Sequence, residues 1–356
     1  MRAAFEIGDC RVPPGQRRVV DLPVSRLSNH TPVSLPVHVL HGHAPGPALF
    51  VSAAVHGDEI IGVEIIRRLL KTTRPGEISG TLLCIPIVNA FGFISRTRYL
   101  PDQRDLNRAF PGNDGGSLAA KLAHLFMREV VHRCDVGIDL HSAAASRTNL
   151  PQIRSALVSP QSRRLAEAFG AHVVLRSPTR AGSLREAAAH LGKDVLVYEA
   201  GEALRFDTPS IMIGVRGVHR VMTALGMRPH AVEDASDDQT ADAPLRRRQP
   251  DVRETPPVFS MASKWVRSPE GGILRAMKTI GDRVRQGERL GVISNPYDET
   301  VETEISATIE GLVIGRTNLP VVNLGDALFH IARVNGPAAP VTDATGDPVL
   351  DEDEII

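Results

Sequence analysis

The chain has 356 residues, 42% of them apolar, with 41 Lys and Arg set against 41 Asp and Glu. That length and apolar content fit a globular protein with one large and one smaller domain, and the balanced charge excludes the basic footprint of a nucleic-acid binder. Three widely spaced cysteines (Cys10, Cys84, Cys134) make neither a disulfide framework nor a CxxC site. The first residues lack the apolar core of a signal peptide, and no run nears the roughly 18 apolar residues of a membrane span, so a soluble, cytoplasmic protein with no membrane partner is expected.

From about residue 32 to 225 strand and helix patterns alternate. The predicted strands are Val33–Leu40, Ala48–Val55, Thr81–Val88, Val136–Leu140, His172–Leu175 and Val195–Tyr198. The predicted helices are Glu59–Lys71, Ser117–Cys134, Gln161–Phe169, Ser183–Leu191 and Pro209–Leu225. Such alternation argues for an α/β fold with helices on both faces of one sheet.

The first informative motif ends the strand Ala48–Val55. The apolar run breaks into His56-Gly57-Asp58-Glu59 and then a helical pattern of Ile60, Ile61, Val63, Ile65, Ile66, Leu69 and Leu70. An imidazole and a carboxylate three residues apart at a strand's carboxyl end are two ligands of a divalent metal. A capped helix beside a chance histidine reads the same way. The following segment, Asn89 to Gly112, is dense in Arg, Pro, Gly and Asn and lacks helical period, so it is predicted as a loop. Within it Asn107-Arg108 sets an amide next to a guanidinium, a pair suited to a carboxylate. Arg96 and Arg104 read as solvated.

The strand Val136–Leu140 delivers His141, which serves either as a satisfied core residue or as a third metal ligand. Asp139 shares its strand face, as an orienting partner or as half of a salt bridge. Glu199 ends the strand Val195–Tyr198. A carboxylate there must be paired or functional, because burying it uncompensated costs several kcal/mol, and beside His141 it suits a general base acting on water at a metal.

Composition changes near Pro229. Residues 229–258 carry five prolines, an acidic stretch (Glu233 to Asp238) and Arg246-Arg247-Arg248 without periodicity, which predicts a linker or surface loop. Residues 335–356 read as an acidic, disordered tail. Between them lies a repeat: Val284-x-x-Gly287-Glu288-x-Leu290-x-x-Ile293 matches Val322-x-x-Gly325-Asp326-x-Leu328-x-x-Ile331. Two copies with Gly turns predict two half-barrels over residues 259–334, similar to the barrel-sandwich module of biotinyl and lipoyl carriers. The hairpin between the copies (Ser294 to Thr300) has no lysine and none follows Lys278, so no carried biotin or lipoate is expected. Tyr297 on that hairpin is either a surface aromatic or a phenol that caps the site.

His56-x-x-Glu59, Arg98, Asp105-Leu106-Asn107-Arg108, Asp139-Leu140-His141 and Glu199-x-Gly201, in that order, resemble the succinylglutamate desuccinylase/aspartoacylase family, zinc-dependent deacylases on a zinc carboxypeptidase fold. The resemblance implies a three-layer α/β/α catalytic domain over residues 1–228 followed by an all-β barrel-sandwich domain. It implies one zinc per chain held by His56, Glu59 and His141, with Glu199 as general base and Arg98 steadying the oxyanion. Asn107, Arg108 and Arg185 would bind the substrate, a small N-acetyl or N-succinyl amino acid, with N-acetyl-diaminobutyrate among the candidates. A homo-oligomer is left open. The rival readings are a metallocarboxypeptidase acting on short peptides and a non-catalytic binding module that kept the fold.

Overall fold

A computed structural model describes residues 2–229 and 256–334. Most of the predicted linker (230–255) and the predicted disordered tail (335–356) lie outside the described residues. The chain opens with the hairpin β1 (Phe5–Ile7) and β2 (Cys10–Val12), then β3 (Gln16–Arg26) and β4 (Pro32–His41). The α/β alternation follows as β5 (Ala44–Ala53), α1 (Ile61–Thr72), β6 (Ser79–Ile85), α2 (Ala90–Ser95), α3 (Leu118–Glu129), β7 (Val136–Ala143) and β8 (Arg147–Ser155). It continues with α4 (Pro160–Phe169), β9 (Val173–Arg176), α5 (Leu184–His190), β10 (Asp194–Glu202) and α6 (Thr208–Ala224).

The apolar runs seen in the sequence become the middle of a 13-stranded mixed sheet. Its central strands run β10-β7-β5-β6, each parallel to the next. Strands buried on both faces need apolar residues at every position, and β5 shows it: Leu49, Val51 and Ala53 join the core with α1, α4 and α6, whereas Phe50 joins the core with α3 and α5. The stripe Ile61, Ile65, Ile66, Leu69 and Leu70 fixes α1 on the first of these faces, each side chain contributing about 1.5–3 kcal/mol of burial. Local signals set the ends. Ser117 caps α3 by accepting from Ala120 N at 3.3 Å, and Asp207 caps α6 by accepting from Ser210 N at 3.0 Å.

The structure differs from expectation at several elements. The segment predicted as a loop holds α2, capped by the Asn89 side chain accepting from Gly92 N at 2.9 Å, and a 3-10 turn at Leu106–Arg108. Both are too short to show a period. The hairpin, β3 and the polar strand β8 were not predicted either. The helix predicted over Ser117–Cys134 is α3 plus a separate 3-10 turn, Val131–Arg133.

The C-terminal region adds β11 (Val258–Ser260), β12 (Ser263–Arg267), β13 (Gly272–Ala276), β14 (Arg283–Val284), β15 (Arg289–Asn295), β16 (Asp298–Ser306), β17 (Gly311–Thr317), β18 (Val321–Val322) and β19 (Ala327–Ala332). The repeat is visible as two equivalent turns: Glu288 accepts from Arg285 N at 2.8 Å and Asp326 from Asn323 N at 2.7 Å. The copies interlock. β14 pairs with β17 and so lies in the same sheet as β19, whereas β18 pairs with β13 in the four-stranded sheet of β15. A small apolar core of its own includes Leu290, Ile293, Leu328 and Ile331. The region does not stand apart, because β17 also pairs with β8 and so extends the large sheet. No helix among the described residues is long and apolar enough to cross a membrane.

Candidate active site

Three neighbouring strands deliver the site. β5 ends at Ala53, and Ala54 takes a left-handed φ of 50° that turns the chain sharply into His56-Gly57-Asp58-Glu59. The loop then presses against α2: a Cβ on Gly57 would lie 1.9 Å from the Gly92 carbonyl carbon, so no side chain fits there. Glu59 N donates to His56 O at 3.1 Å, closing a turn that sets the two side chains together two residues before α1 begins. His141 comes from the adjacent β7, and Glu199 lies opposite it in register on β10.

His56, Glu59 and His141 are all buried, and each offers a ligand atom within 4.8 Å of the others. His56 Nδ1 is 2.6 Å from Glu59 Oε1 and His141 Nδ1 is 2.8 Å from Glu59 Oε2. The outer edges of both rings are occupied by carboxylates, His56 Nε2 by Asp105 at 3.2 Å and His141 Nε2 by Asp139 at 2.7 Å. A neutral ring that donates through Nε2 has its lone pair on Nδ1, so once a metal replaces the Nδ1 proton both rings aim a ligand atom inward. Two imidazole nitrogens and a carboxylate are the donor set of a catalytic zinc, and the residues fit that ion.

The electrostatics agree. Burial and Arg98 pull His56 down, but Glu59 and Asp105 overcome them and raise it to about 9. Burial pushes Glu59 up, yet His56 and His141 hold it well below the usual carboxylate range. Burial likewise opposes ionisation of Asp105, which His56 and Arg98 keep far below its ordinary value. Two buried carboxylates and the half-buried Asp105 thus converge on two imidazoles and one guanidinium, an arrangement that calls for positive charge at its centre.

Arg98, expected at an oxyanion, stands at the rim of this cluster. Its Nη1 is 3.1 Å from His56 Nδ1 and 3.4 Å from Glu59 Oε1, while Nε and Nη2 donate to Asp105 Oδ2 at 3.2 and 2.9 Å. Asp105 also accepts from Asn107 N at 2.7 Å. In the sequence Asp105 stands out only as the first residue of Asp105-Leu106-Asn107-Arg108. Its reach to His56, 49 residues away, left no local signal.

A pocket of about 90 Å³ opens over the cluster, lined among others by Asn107, Arg108, Arg154, Arg180, Arg185 and Glu199. Asn107 Oδ1 accepts from Leu184 N at 3.0 Å, so its amide nitrogen is the end it can offer the pocket. Arg108 Nη1 donates to the Asn107 carbonyl at 2.8 Å. Arg185 donates through Nη2 to Pro178 O at 2.6 Å, and its buried Nη1 has no hydrogen-bond partner among the described residues. Burial, with Arg154 alongside, lowers Arg185 to about 10. Arg154 and Arg180 were not singled out in the sequence. Nor was Asn149, whose Nδ2 donates to Glu199 Oε2 at 3.0 Å. Tyr297 is 96% exposed and does not line this pocket.

Fold and site together define a mixed α/β protein with an inward-facing His/Glu/His donor set at the carboxyl ends of adjacent strands. Residues 45–225, more than half of the chain, match the model of the succinylglutamate desuccinylase/aspartoacylase catalytic domain, and the chain belongs to that family. It is 30% identical over 314 residues to the N-alpha-acetyl-L-2,4-diaminobutyric acid deacetylase of Halomonas elongata, covering 85% of this chain and 86% of that protein. The crystal structure of a succinylglutamate desuccinylase/aspartoacylase from Rhodobacter sphaeroides is similar at 27% identity and a TM-score of 0.75, over 90% of this chain and 96% of that one. The product-bound ectoine utilization protein EutE (DoeB) from Ruegeria pomeroyi shares the fold at 22% identity and a TM-score of 0.76, over 94% and 100%.

Proposed function

We propose that the chain is a zinc-dependent deacylase that cleaves the amide bond of a small N-acyl amino acid. The observation that carries this reading is the pair of imidazoles locked through Nε2, with both Nδ1 atoms and Glu59 converging one strand away from Glu199. His56, Glu59 and His141 would hold one zinc, which when bound supplies Lewis acidity to water and to the amide carbonyl. Glu199 takes the proton of the attacking water and returns it to the departing amine. Arg98 Nη1, near two of the three donors, places a cation where negative charge develops on the carbonyl oxygen. Arg108 and the amide nitrogen of Asn107 grip the substrate carboxylate, and the half-satisfied Arg185 supplies further positive charge on the same wall.

The substrate class follows from size and charge. A pocket of about 90 Å³ lined by four arginines suits a small anion better than a peptide, which disfavours a metallocarboxypeptidase. The Halomonas relative, named for an N-acetylated diaminobutyric acid, supports an N-acetyl amino acid. In this reading residues 1–228 form the catalytic domain, 229–258 a connecting segment and 259–334 a barrel-sandwich domain. The test has two parts. Glu199→Gln should keep the metal while losing most turnover, and loss of metal or near-normal kcat would remove Glu199 from its role. A panel of N-acetyl-2,4-diaminobutyrate, N-acetylaspartate, N-succinylglutamate and dipeptides, scored by released amine, identifies the substrate. Turnover of dipeptides alone would replace deacylase by peptidase.

A further inference from the structure

We infer that Asn149 is a positioning residue of Glu199, and that the C-terminal strand β17 holds Asn149 in place through Gly315. The inference rests on the reading of Glu199 as general base. It begins with an irregularity in the backbone. β10 is regular up to Glu199, but its pairing with both neighbours shifts immediately beyond it, and Gly201 turns to a φ of 72°. The ladder therefore stops fixing the chain at the residue whose carboxylate must be aimed. Asn149 on β8, only 2% exposed, faces this break: its backbone lies opposite Gly201 and its Nδ2 donates to Glu199 Oε2 at 3.0 Å. An amide bonded to one carboxylate oxygen fixes the plane of the group.

Asn149 in turn lies opposite Gly315 of β17. A Cβ added at Gly315 would stand 2.8 Å from Asn149 Oδ1, closer than real contacts allow, with the Cβ of His330 next at 3.3 Å. The missing side chain is the seat of the Asn149 amide. Gly315 is not among the glycines with positive φ, so alanine is compatible with its backbone and its main effect falls on Asn149. The same strand end braces the break a second time. Asn318 Nδ2 donates to Thr148 Oγ1 at 2.6 Å and to Glu202 Oε2 at 3.1 Å, and Glu202 Oε1 accepts from Ser146 N at 2.9 Å. Residues more than 110 positions beyond the base thus support both Asn149 and Glu202, on the β8 side of the break.

The experiment is a double-mutant cycle on the full-length, zinc-loaded enzyme with the best N-acyl amino acid of the panel. Asn149→Ala and Gly315→Ala should each lower kcat by about tenfold or more, because a hydrogen bond to a charged group is lost from the reacting geometry. KM and zinc content should stay within about twofold of wild type, and the double variant should be no slower than Asn149→Ala, since both changes remove one interaction. A crystal structure of Gly315→Ala should show the Asn149 amide swung off Glu199. The inference is overturned by wild-type kcat in Asn149→Ala, by penalties that multiply in the double variant, or by a loss confined to KM or zinc content. Gly315→Ala carries the same reading alone where Asn149→Ala yields no folded enzyme. Glu199→Gln separates the two levels: if it is inactive while Asn149→Ala is not, only the positioning role falls, and if it is active, the base assignment falls with it.

Discussion

Asp105→Asn is the sharpest test of the donor cluster, because no orientation of the new amide satisfies the site. Asp105 Oδ1 accepts from His56 Nε2 at 3.2 Å and Asn107 N at 2.7 Å, and Oδ2 accepts from Arg98 Nε and Nη2 at 3.2 and 2.9 Å. All four partners are donors. An amide has one oxygen and one NH2, so either rotamer drives N–H against N–H, and the 12% exposure of the side chain leaves little room for water to intervene. The change also takes from Arg98 its nearer carboxylate, leaving Glu59 Oε1 at 3.4 Å. Breaking a buried ion pair costs about 3–5 kcal/mol when the remaining charge is uncompensated, and with Glu59 still beside Arg98 the expected loss of unfolding free energy in the metal-free protein is about 3 kcal/mol. With its outer edge no longer held, His56 can move its proton to Nδ1, the ligand atom, so zinc affinity should fall about 10- to 100-fold, roughly 1.4–2.7 kcal/mol. Denaturant unfolding of the metal-free protein and chelator competition for zinc read the two effects separately. The same substitution at Asp139 should be milder. Its two partners are His141 Nε2 and the Ser52 hydroxyl at 2.7 Å, and a hydroxyl can reverse from donor to acceptor. Zinc affinity in Asp105→Asn within about twofold of wild type would refute the claim that carboxylates fix the ligand tautomers.

Metal analysis of the purified protein should find about one zinc per chain, and His56→Ala or His141→Ala should lose it; full occupancy in both variants sinks the ligand assignment. Arg108→Ala should lower kcat/KM by at least about tenfold, with Arg108→Lys restoring only part, since an ammonium cannot form a bidentate fork. Equal turnover of the acid and its amidated analogue by the wild type would show that no carboxylate is recognised. Burial, helped by Arg228, lowers His219 to about 4. The unfolded chain therefore takes up a proton near pH 6.5 before the folded one does, so this contribution to stability is intact above that pH and is lost as pH falls towards 4, at up to about 1.4 kcal/mol per pH unit. His219→Gln should flatten that part of the stability curve, and parallel curves for variant and wild type from pH 7 to 4 would refute the attribution.

The parts of the fold that were legible are those where burial leaves one solution. β5, β7 and β10 read as apolar runs, interrupted only by Ser52 and Asp139, because each is covered on both faces, and the residues ending them, His56, His141 and Glu199, stand out as polar groups where polarity is expensive. Helices α1, α3 and α6 start within two residues of where the sequence pattern puts them, with Ser117 and Asp207 capping the last two. β8 was illegible because Thr148, Asn149, Gln152 and Arg154 interrupt any apolar alternation, although Asn149 and Gln152 are buried. Thr148, Asn149 and Arg154 answer partners elsewhere in the chain, Asn318 for the first and Glu199 for the other two. Asp105 and Asn149 were missed on the same grounds: each acts on a residue about fifty positions away, and no spacing rule reaches that far. The repeat predicts two half-barrels, and its two turns do match in the structure, but a repeat speaks only for its own interior. Nothing in V-x-x-G-[DE]-x-L-x-x-I reveals that the strand between the copies pairs with β8. That pairing puts β17 directly beside the strand that carries Asn149 and one strand away from Glu199. A β-region added to an α/β unit reads from sequence as a separate module, and only the shared sheet makes it part of the site's support.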